Sequence, residues 1–369
     1  MSRPRDGTLS MRDRIADDLL RRIERGEWMV GQRLPSMSKL SEPYGTSIRP
    51  TQQAIEALCA RGHLIGRRGS GVYVRLSPDL LTHPDNVLML LRTHGHVYTD
   101  LTHLLHDRLR ADGHEAAVLG IGGQNQDDIV KAVWESQSRF LIVDADKRFP
   151  FKRLEGPHPA HRHVIALINW QTESGLDRVH RILVDFPQGS RLLVEHLWGC
   201  GHRHILMTGP DDMITSSRSW DGTGKGPPAT HWHQGIGIEA MWKRLGGNVT
   251  AFVCQPERLK GAVCDEDALY RHFNGSAPPS VVLGMRDIDA LVVRACLQRI
   301  LPRCAAHLVF FGSGNTPWSR TANPPLSTLD WNLELITQEA CRIIAALKAG
   351  HAFKTPVTRL IPLRLMQRE

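Results

Sequence analysis

The chain has 369 residues and a formal net charge of +8, too long for one ordinary core and sized for two or three compact units. Met1 to Arg75 holds 14 basic and 8 acidic residues, which leaves 32 basic against 30 acidic for the rest. The positive excess thus sits in the first fifth of the chain, where a polyanionic partner would bind.

No apolar stretch approaches the ~20 residues of a membrane span, and Arg3, Arg5, Asp6, Arg12 and Asp13 interrupt any leader-like run. The seven cysteines are scattered, without a C-x-x-C pair. A reduced, cytoplasmic chain with no membrane partner is expected, although Cys254 and Cys264 lie close enough in sequence to invite a bridge.

Ile15, Leu19, Leu20 and Ile23 recur at helical spacing, and Gly26 ends that helix. A second helix follows Ser36 as N-cap and is limited by Pro43 and Gly45. Ser47 caps a third, which turns Ile55, Leu58 and Cys59 inward and stops at Gly62. His63–Ile65 and Val72–Val74 read as two short strands joined by GRRGSG, a wing. Residues 1–75 form one unit, and the polar, proline-containing residues 76–85 read as a linker.

From 86 to 369 the rhythm changes to apolar strands alternating with amphipathic helices. VLMLL, AAVLGI, FLIVDA, VIALI, RILVDF, HILMTG, TAFVC, SVVLGM and HLVFFG are strand-like runs. Helices are expected over 98–112, 127–136, 190–200, 236–245, 287–300 and 333–349, and TRLIPLRLM reads as one final strand. Such alternation implies parallel sheets covered by helices on both faces. Ser216 to His233 is the least regular stretch and reads as a surface loop.

The first 75 residues carry G-x-x-LPS-x-x-x-L, GTS, A-I-x-x-L-x-x-x-G and R-x-G-x-G-x-x-V in order. In this they resemble the winged helix-turn-helix (α+β) domain of the GntR family of transcription regulators. The resemblance implies double-stranded DNA as partner. The third helix enters the major groove with its cap and first turn, and the wing tip reaches the minor groove. Arg33, Ser36, Ser38 and Lys39, then Ser47, Arg49, Thr51 and Gln52, then Arg67, Arg68, Gly69 and Ser70 are the DNA-contacting candidates. Relatives often carry arginines where Ile48 and Gln52 stand, and an acidic-then-basic pair where Met37 and Ser38 stand. Here Lys39 and Arg49 sit one position along, so the base preference is not inherited. Gln52 suits adenine, and Arg49 suits guanine or a phosphate.

The remainder resembles the effector domain of the LacI/GalR family, an α/β two-lobed fold like that of periplasmic binding proteins, with parallel sheets. Four stretches carry the likeness, at 181–210, 278–298, 308–315 and 323–350, the last with the hinge-like PPLST. A GntR-type reader on a LacI-type sensor is the AraR-like architecture. The resemblance implies a small-molecule effector, a sugar or sugar derivative, clamped between lobes joined by three crossovers. Lobe one is expected over 86–199 with the helix after Asp330, and lobe two over 201–314 with the final strand.

Asp287 matches a family aspartate that accepts hydrogen bonds from sugar hydroxyls. A carboxylate at a strand–helix junction equally caps its helix, so both roles stay open. Arg286 replaces the preceding Asn. Gly314 stands at a family ligand aspartate, with Asn315 beside it, and Trp232 stands at a family arginine that Arg218 would replace. Arg92 and Tyr98 follow the first strand of this region, where the cleft wall is expected. Trp170, Trp220 and Trp318 either stack on a sugar face or belong to the core.

His158, His161 and His163, or His231 and His233, lack cysteine or carboxylate partners at metal spacing, so no metal is expected. GTGKGPP and GIGGQNQ fail as phosphate loops, and no nucleophile–base pair or cofactor fingerprint appears. The expectation is a dimeric, ligand-responsive repressor on a palindromic operator, without catalysis or cofactor. The alternatives are a regulator with a non-sugar effector or none, its cleft filled by its own side chains, and a sugar-binding transport protein.

Overall fold

The computed structural model describes residues 10–24, 27–28, 33–67, 71–74, 83–92, 96–120, 126–144, 163–167, 179–210, 232–254 and 264–368, without the side chains of 24, 67, 96, 126, 128, 132 and 232–236. The expected linker at 76–85 lies mostly outside them.

In the N-terminal unit, α1 (Met11–Glu24) buries Ile15, Ala16 and Leu19. The Ser36 hydroxyl accepts from the Lys39 N–H at 3.4 Å and opens α2 (Met37–Ser41). A 3-10 turn, Glu42–Tyr44, follows and ends at Gly45 with φ 59°. In α3 (Ile48–Ala60), Thr51, Ala54, Ile55 and Leu58 recur every three or four residues and form the buried row. Gly62 closes it at φ 82°, a left-handed value that favours glycine.

Strands β1 (Leu64–Arg67) and β2 (Gly71–Val74) pair antiparallel, Leu64 opposite Val74 and Arg67 opposite Gly71. They run further toward the tip than the sequence suggested. Arg33 bridges to Tyr73, and the Leu34 N–H donates to the Val72 carbonyl at 2.8 Å. Ile15, Leu19, Trp28, Leu34, Leu40, Ile55, Leu58, Leu64 and Val74 make one core.

The rest is two six-stranded sheets. The first holds β3 (Val87–Leu91), β4 (Ala116–Gly120), β5 (Phe140–Asp144), β6 (His163–Leu167), β7 (His180–Val184) and β13 (Thr358–Ile361), in the order β13-β7-β6-β5-β3-β4. The second holds β8 (His204–Gly209), β9 (Asn248–Val253), β10 (Val281–Gly284), β11 (Val309–Ser313), β12 (Ser327–Asp330) and β14 (Arg364–Met366), in the order β14-β12-β11-β10-β8-β9. Every pairing is parallel except that of β14 with β12. All five residues of VLMLL are buried, as a parallel strand covered on both faces requires.

The helices are α4 (His96–Ala111), α5 (Gln126–Glu135), α6 (Phe186–Gly199), α7 (Trp232–Arg244), α8 (Glu266–Phe273), α9 (Asp287–Ile300), α10 (Pro302–Ala305), α11 (Pro317–Thr321) and α12 (Leu333–Lys348). Strand β12 and helices α8, α10 and α11 were not foreseen. Most of the expected loop at 216–233 lies outside the described residues, and its last two residues head α7.

Two expectations about the lobes change. Helix α6 packs on α7 in the second lobe, so the first lobe ends at Asp185, not at Gly199. Asp185 caps α6, its carboxylate accepting from the Gln188 N–H at 3.1 Å. The final segment is two strands in two different sheets, β13 beside β7 and β14 beside β12, with Pro362 between them. Proline has no N–H for a sheet ladder, so the strand cannot run through it.

The chain therefore crosses between lobes near 185, 331 and 362, and the crossovers brace one another. The Asp185 N–H donates to the Ile361 carbonyl at 2.9 Å. The Gln188 side chain accepts from the Leu363 N–H at 3.0 Å and donates to the Leu363 carbonyl at 3.5 Å. Trp331 donates to the Ser313 hydroxyl of the second lobe at 2.9 Å. Its ring meets Tyr98 of the first lobe and Phe186 edge-on, at 6.2 and 5.1 Å between centroids. One apolar cluster runs from Leu91 through Phe186 and Trp331 to Leu283 and Phe311.

Candidate nucleic-acid face and interlobe site

The side of α3 opposite its buried row is exposed and polar: Arg49, Gln52, Gln53 and Glu56, with Ser47 at the cap position. Gln52 donates to Glu56 at 3.0 Å, which lays both along one stripe. Ser47 makes no side-chain cap bond, and Ser36, Ser38 and Lys39 are exposed around α2.

Arg33 lies across the base of the wing. A Cβ on Gly71 (φ 110°) would come within 2.6 Å of the Arg33 Nε, so the glycine admits the guanidinium. Arg67 pairs with Gly71, and the tip residues Arg68, Gly69 and Ser70 lie outside the described residues.

Thr51 is a correction. It is 0% exposed, in the buried row with Ala54, Ile55 and Leu58, and its hydroxyl has no hydrogen-bond partner among the described residues. It faces the core, and DNA cannot reach it. The neighbour that sequence reasoning set aside is Ile48, which is 48% exposed at the start of the helix.

Between the lobes, Arg92 leaves β3 next to the end of β5, because β3 and β5 are paired. Its guanidinium grips Asp144, donates to the Tyr98 hydroxyl at 2.7 Å and lies 4.1 Å from the centre of the Tyr98 ring. The structure thus brings the two candidates, Arg92 and Tyr98, together with Asp144, a residue of FLIVDA read only as strand. Strand pairing alone sets that neighbourhood, and no local motif signals it.

In the second lobe, Arg286 holds Asp289 with bonds of 2.6 to 3.2 Å, and Asp289 also accepts the Arg286 N–H at 3.0 Å. The capping role at the start of α9 therefore belongs to Asp289. Asp287 is 0% exposed. One oxygen accepts from the N–H and hydroxyl of Thr316 at 2.7 and 2.8 Å, and the other from the Thr328 hydroxyl at 2.5 Å. A Cβ on Gly312 would come 2.3 Å from the Asp287 carboxylate. Neither open role for Asp287 survives: it ties the β11–α11 turn and β12 to the start of α9 and does not face a ligand.

Gly314 has φ +124°, and a Cβ there would come 2.6 Å from a methyl of Val97 on α4. The two lobes touch at this point, and a side chain has no room in this arrangement. Asn315 takes φ 53°. Its side-chain oxygen accepts from Arg368 at 2.5 Å and its carbonyl from Arg320 at 2.6 Å.

Asn315 lines an interlobe cavity of about 360 Å³, shared with Asp100 and His103 of α4, Arg320, Asp330 of the middle crossover and Arg364. Trp318 is 40% exposed on α11. Trp170, Arg218 and Trp220 lie outside the described residues, and Trp232 heads α7. Among the described residues no group of three or more His, Cys, Asp or Glu could hold a metal ion.

Residues 11–74 match the family "Bacterial regulatory proteins, gntR family", and residues 194–369 match "Periplasmic binding protein-like domain". The chain is 24% identical over 192 residues to the Lactose operon repressor of Escherichia coli strain K12, covering 52% of this chain and 48% of the repressor. It thus spans about half the length of that relative.

A LacI family transcriptional regulator from Arthrobacter sp. FB24, in complex with lactose, superposes with a TM-score of 0.60 at 17% identity, covering 78% of this chain and 99% of that one. A lac repressor dimer bound to operator and the anti-inducer ONPF gives a TM-score of 0.56 at 17% identity, covering 78% and 93%. At this identity the likeness shows the fold. No described helix is long and apolar enough to cross a membrane. The chain therefore carries a winged-helix unit that matches the gntR family at its N-terminus, followed by a two-lobed domain that matches the periplasmic-binding-protein-like model and shares its fold with solved LacI family regulators.

Proposed function

We propose that this chain is a ligand-responsive, DNA-binding transcription regulator, a repressor that acts as a homodimer on a palindromic operator in the cytoplasm and catalyses no reaction. The observation that carries the reading is α3. One row of it is buried in a gntR-type core, and the opposite row offers Arg49, Gln52 and Gln53 to solvent, while Lys39 on α2 and Arg33 at the wing are exposed as well. Phosphate contacts supply affinity and register, and base-edge contacts supply sequence preference. Two copies on a two-fold axis double the contact set and read two half-sites.

The effector, a sugar or sugar derivative, sits between the lobes, with Arg92, Tyr98, Arg286 and Asn315 as its polar contacts from among the described residues and Trp170, Arg218 and Trp232 as further candidates. Ligand bound there favours one degree of lobe closure about the three crossovers, and in a dimer that changes the spacing of the two wings. Trp331, which touches Tyr98, Phe186 and Ser313, is placed to carry the change.

The test is fluorescence anisotropy of the full chain on a duplex selected from a random pool, repeated with lactose, galactose, arabinose and their phosphates at millimolar concentration. One sugar is expected to shift the affinity at least fivefold and to raise the unfolding midpoint. Loss of DNA binding at all conditions contradicts the reading. A second reading, a regulator whose cleft is filled by its own side chains, is favoured by the Val97–Gly314 contact and the enclosure of Asp287. It predicts DNA binding that no ligand alters.

A further inference from the structure

We propose that Ile48 reads the 5-methyl group of a thymine in the operator. This rests on the DNA-binding reading above and adds a base contact to it. Ile48 is the first residue of α3 and is 48% exposed. Its exposed neighbours on that side, Ser47, Arg49, Gln52, Gln53 and Glu56, are all polar. It takes no part in the apolar core of the N-terminal unit, whose partly buried outer members are Leu20, Ile23, Met37, Tyr44, Cys59 and Val72.

About half of its surface lies in solvent. A β-branched side chain at an exposed helix start loses rotamer freedom and offers no cap. An apolar group held out at the start of a recognition helix matches the one apolar group that the major groove displays, the thymine methyl.

Its place on the helix also locates that thymine. Ile48 and Gln52 are four residues apart, on one stripe and separated by about 5.4 Å along the axis. Stacked base pairs rise by about 3.4 Å. The thymine therefore lies one or two base pairs from an adenine bound by Gln52. The positive excess of residues 1–75 supplies the charge complementarity for this occupant.

The experiment uses the full chain and the duplex selected from a random pool. Each thymine is replaced in turn by deoxyuridine, which removes only the methyl. One thymine per half-site is expected at which the replacement weakens binding about threefold to fivefold. Ile48→Ala is expected to bind both duplexes equally, near the wild-type affinity for the deoxyuridine form. Ile48→Val and Gln52→Ala should keep the discrimination. If wild type and Ile48→Ala respond alike at every thymine, the inference is overturned while DNA binding stands. If no duplex is enriched, the DNA-binding reading falls and takes this inference with it.

Discussion

The winged-helix unit and the two-lobed domain place their functional groups in opposite ways. In the first, a single helix with a period of 3.6 sorts its residues into a buried row and an outward row, so side-chain direction follows from local spacing. In the second, the groups that matter come from distant segments, and long-range packing decides whether a carboxylate faces a ligand or the core. Gln52 and Thr51 are adjacent in sequence and differ by one helical step. Asp287 is enclosed by Gly312, Thr316 and Thr328, up to 41 positions away. Chemistry near the surface of a small unit is therefore easier to read than chemistry in an interlobe cleft.

Asp287 gives the largest test of that contrast. Asp287→Ala removes a fully buried carboxylate and leaves the Thr316 and Thr328 donors without their acceptor. It should lower stability by about 3–5 kcal/mol, seen as a fall in the denaturant midpoint. A variant of unchanged stability that had lost only its ligand response would return this carboxylate to the binding site.

Gly314→Asp introduces the residue type that the resemblance to the LacI/GalR family implies at this position. The positive φ and the Val97 methyl both oppose it, and a loss of about 2–4 kcal/mol is expected. Adding Val97→Ala should recover part of that loss, since it makes room without relieving the backbone. Wild-type stability for the single variant would mean that the lobes do not meet at this contact in solution.

Thr51→Val tests the other side. It deletes from α3 a buried hydroxyl that has no partner among the described residues and should raise stability by up to about 1 kcal/mol, with DNA affinity unchanged. Arg49→Ala should do the reverse, leaving stability alone while weakening DNA binding and lowering the salt slope by about one if it meets a phosphate.

The smallest and most gradual effect is with pH. Burial holds His180 below its ordinary value near 6.5, and its Nδ1 accepts the Val357 N–H at 3.1 Å. His114, His202 and His272 shift the same way, also led by burial. The unfolded chain takes up these protons more readily, so their contribution is complete above about pH 6.5 and is lost as pH falls below it. Thermal midpoints measured from pH 7.5 to 5.0 should decline over that window. A His180→Gln variant should show a shallower decline.

Most of the fold was legible because its elements announce themselves locally. Ser36, Gly45 and Gly62 mark helix ends, and continuous runs such as VLMLL and FLIVDA mark buried parallel strands. The misreadings share a cause. The lobe boundary moved from Gly199 to Asp185 because helix α6 is assigned by what it packs on, not by its own pattern. TRLIPLRLM looked like one strand because its apolar residues continue across Pro362. Arg92 and Tyr98 are candidates from their place after a strand, but Asp144 joins them only through the pairing of β3 with β5. Thr51 has a hydroxyl suited to DNA and stands in the first turn of α3, but its inward direction follows from the row it shares with Ala54, Ile55 and Leu58.

The most direct measurement is the affinity of the full chain and of residues 83–369 for the selected duplex, each titrated from 50 to 300 mM salt. The full chain should bind with an affinity that falls steeply and log-linearly with salt, and residues 83–369 should remain folded by circular dichroism without binding at any salt. Equal binding by the two proteins would contradict the assignment of DNA reading to the winged-helix unit.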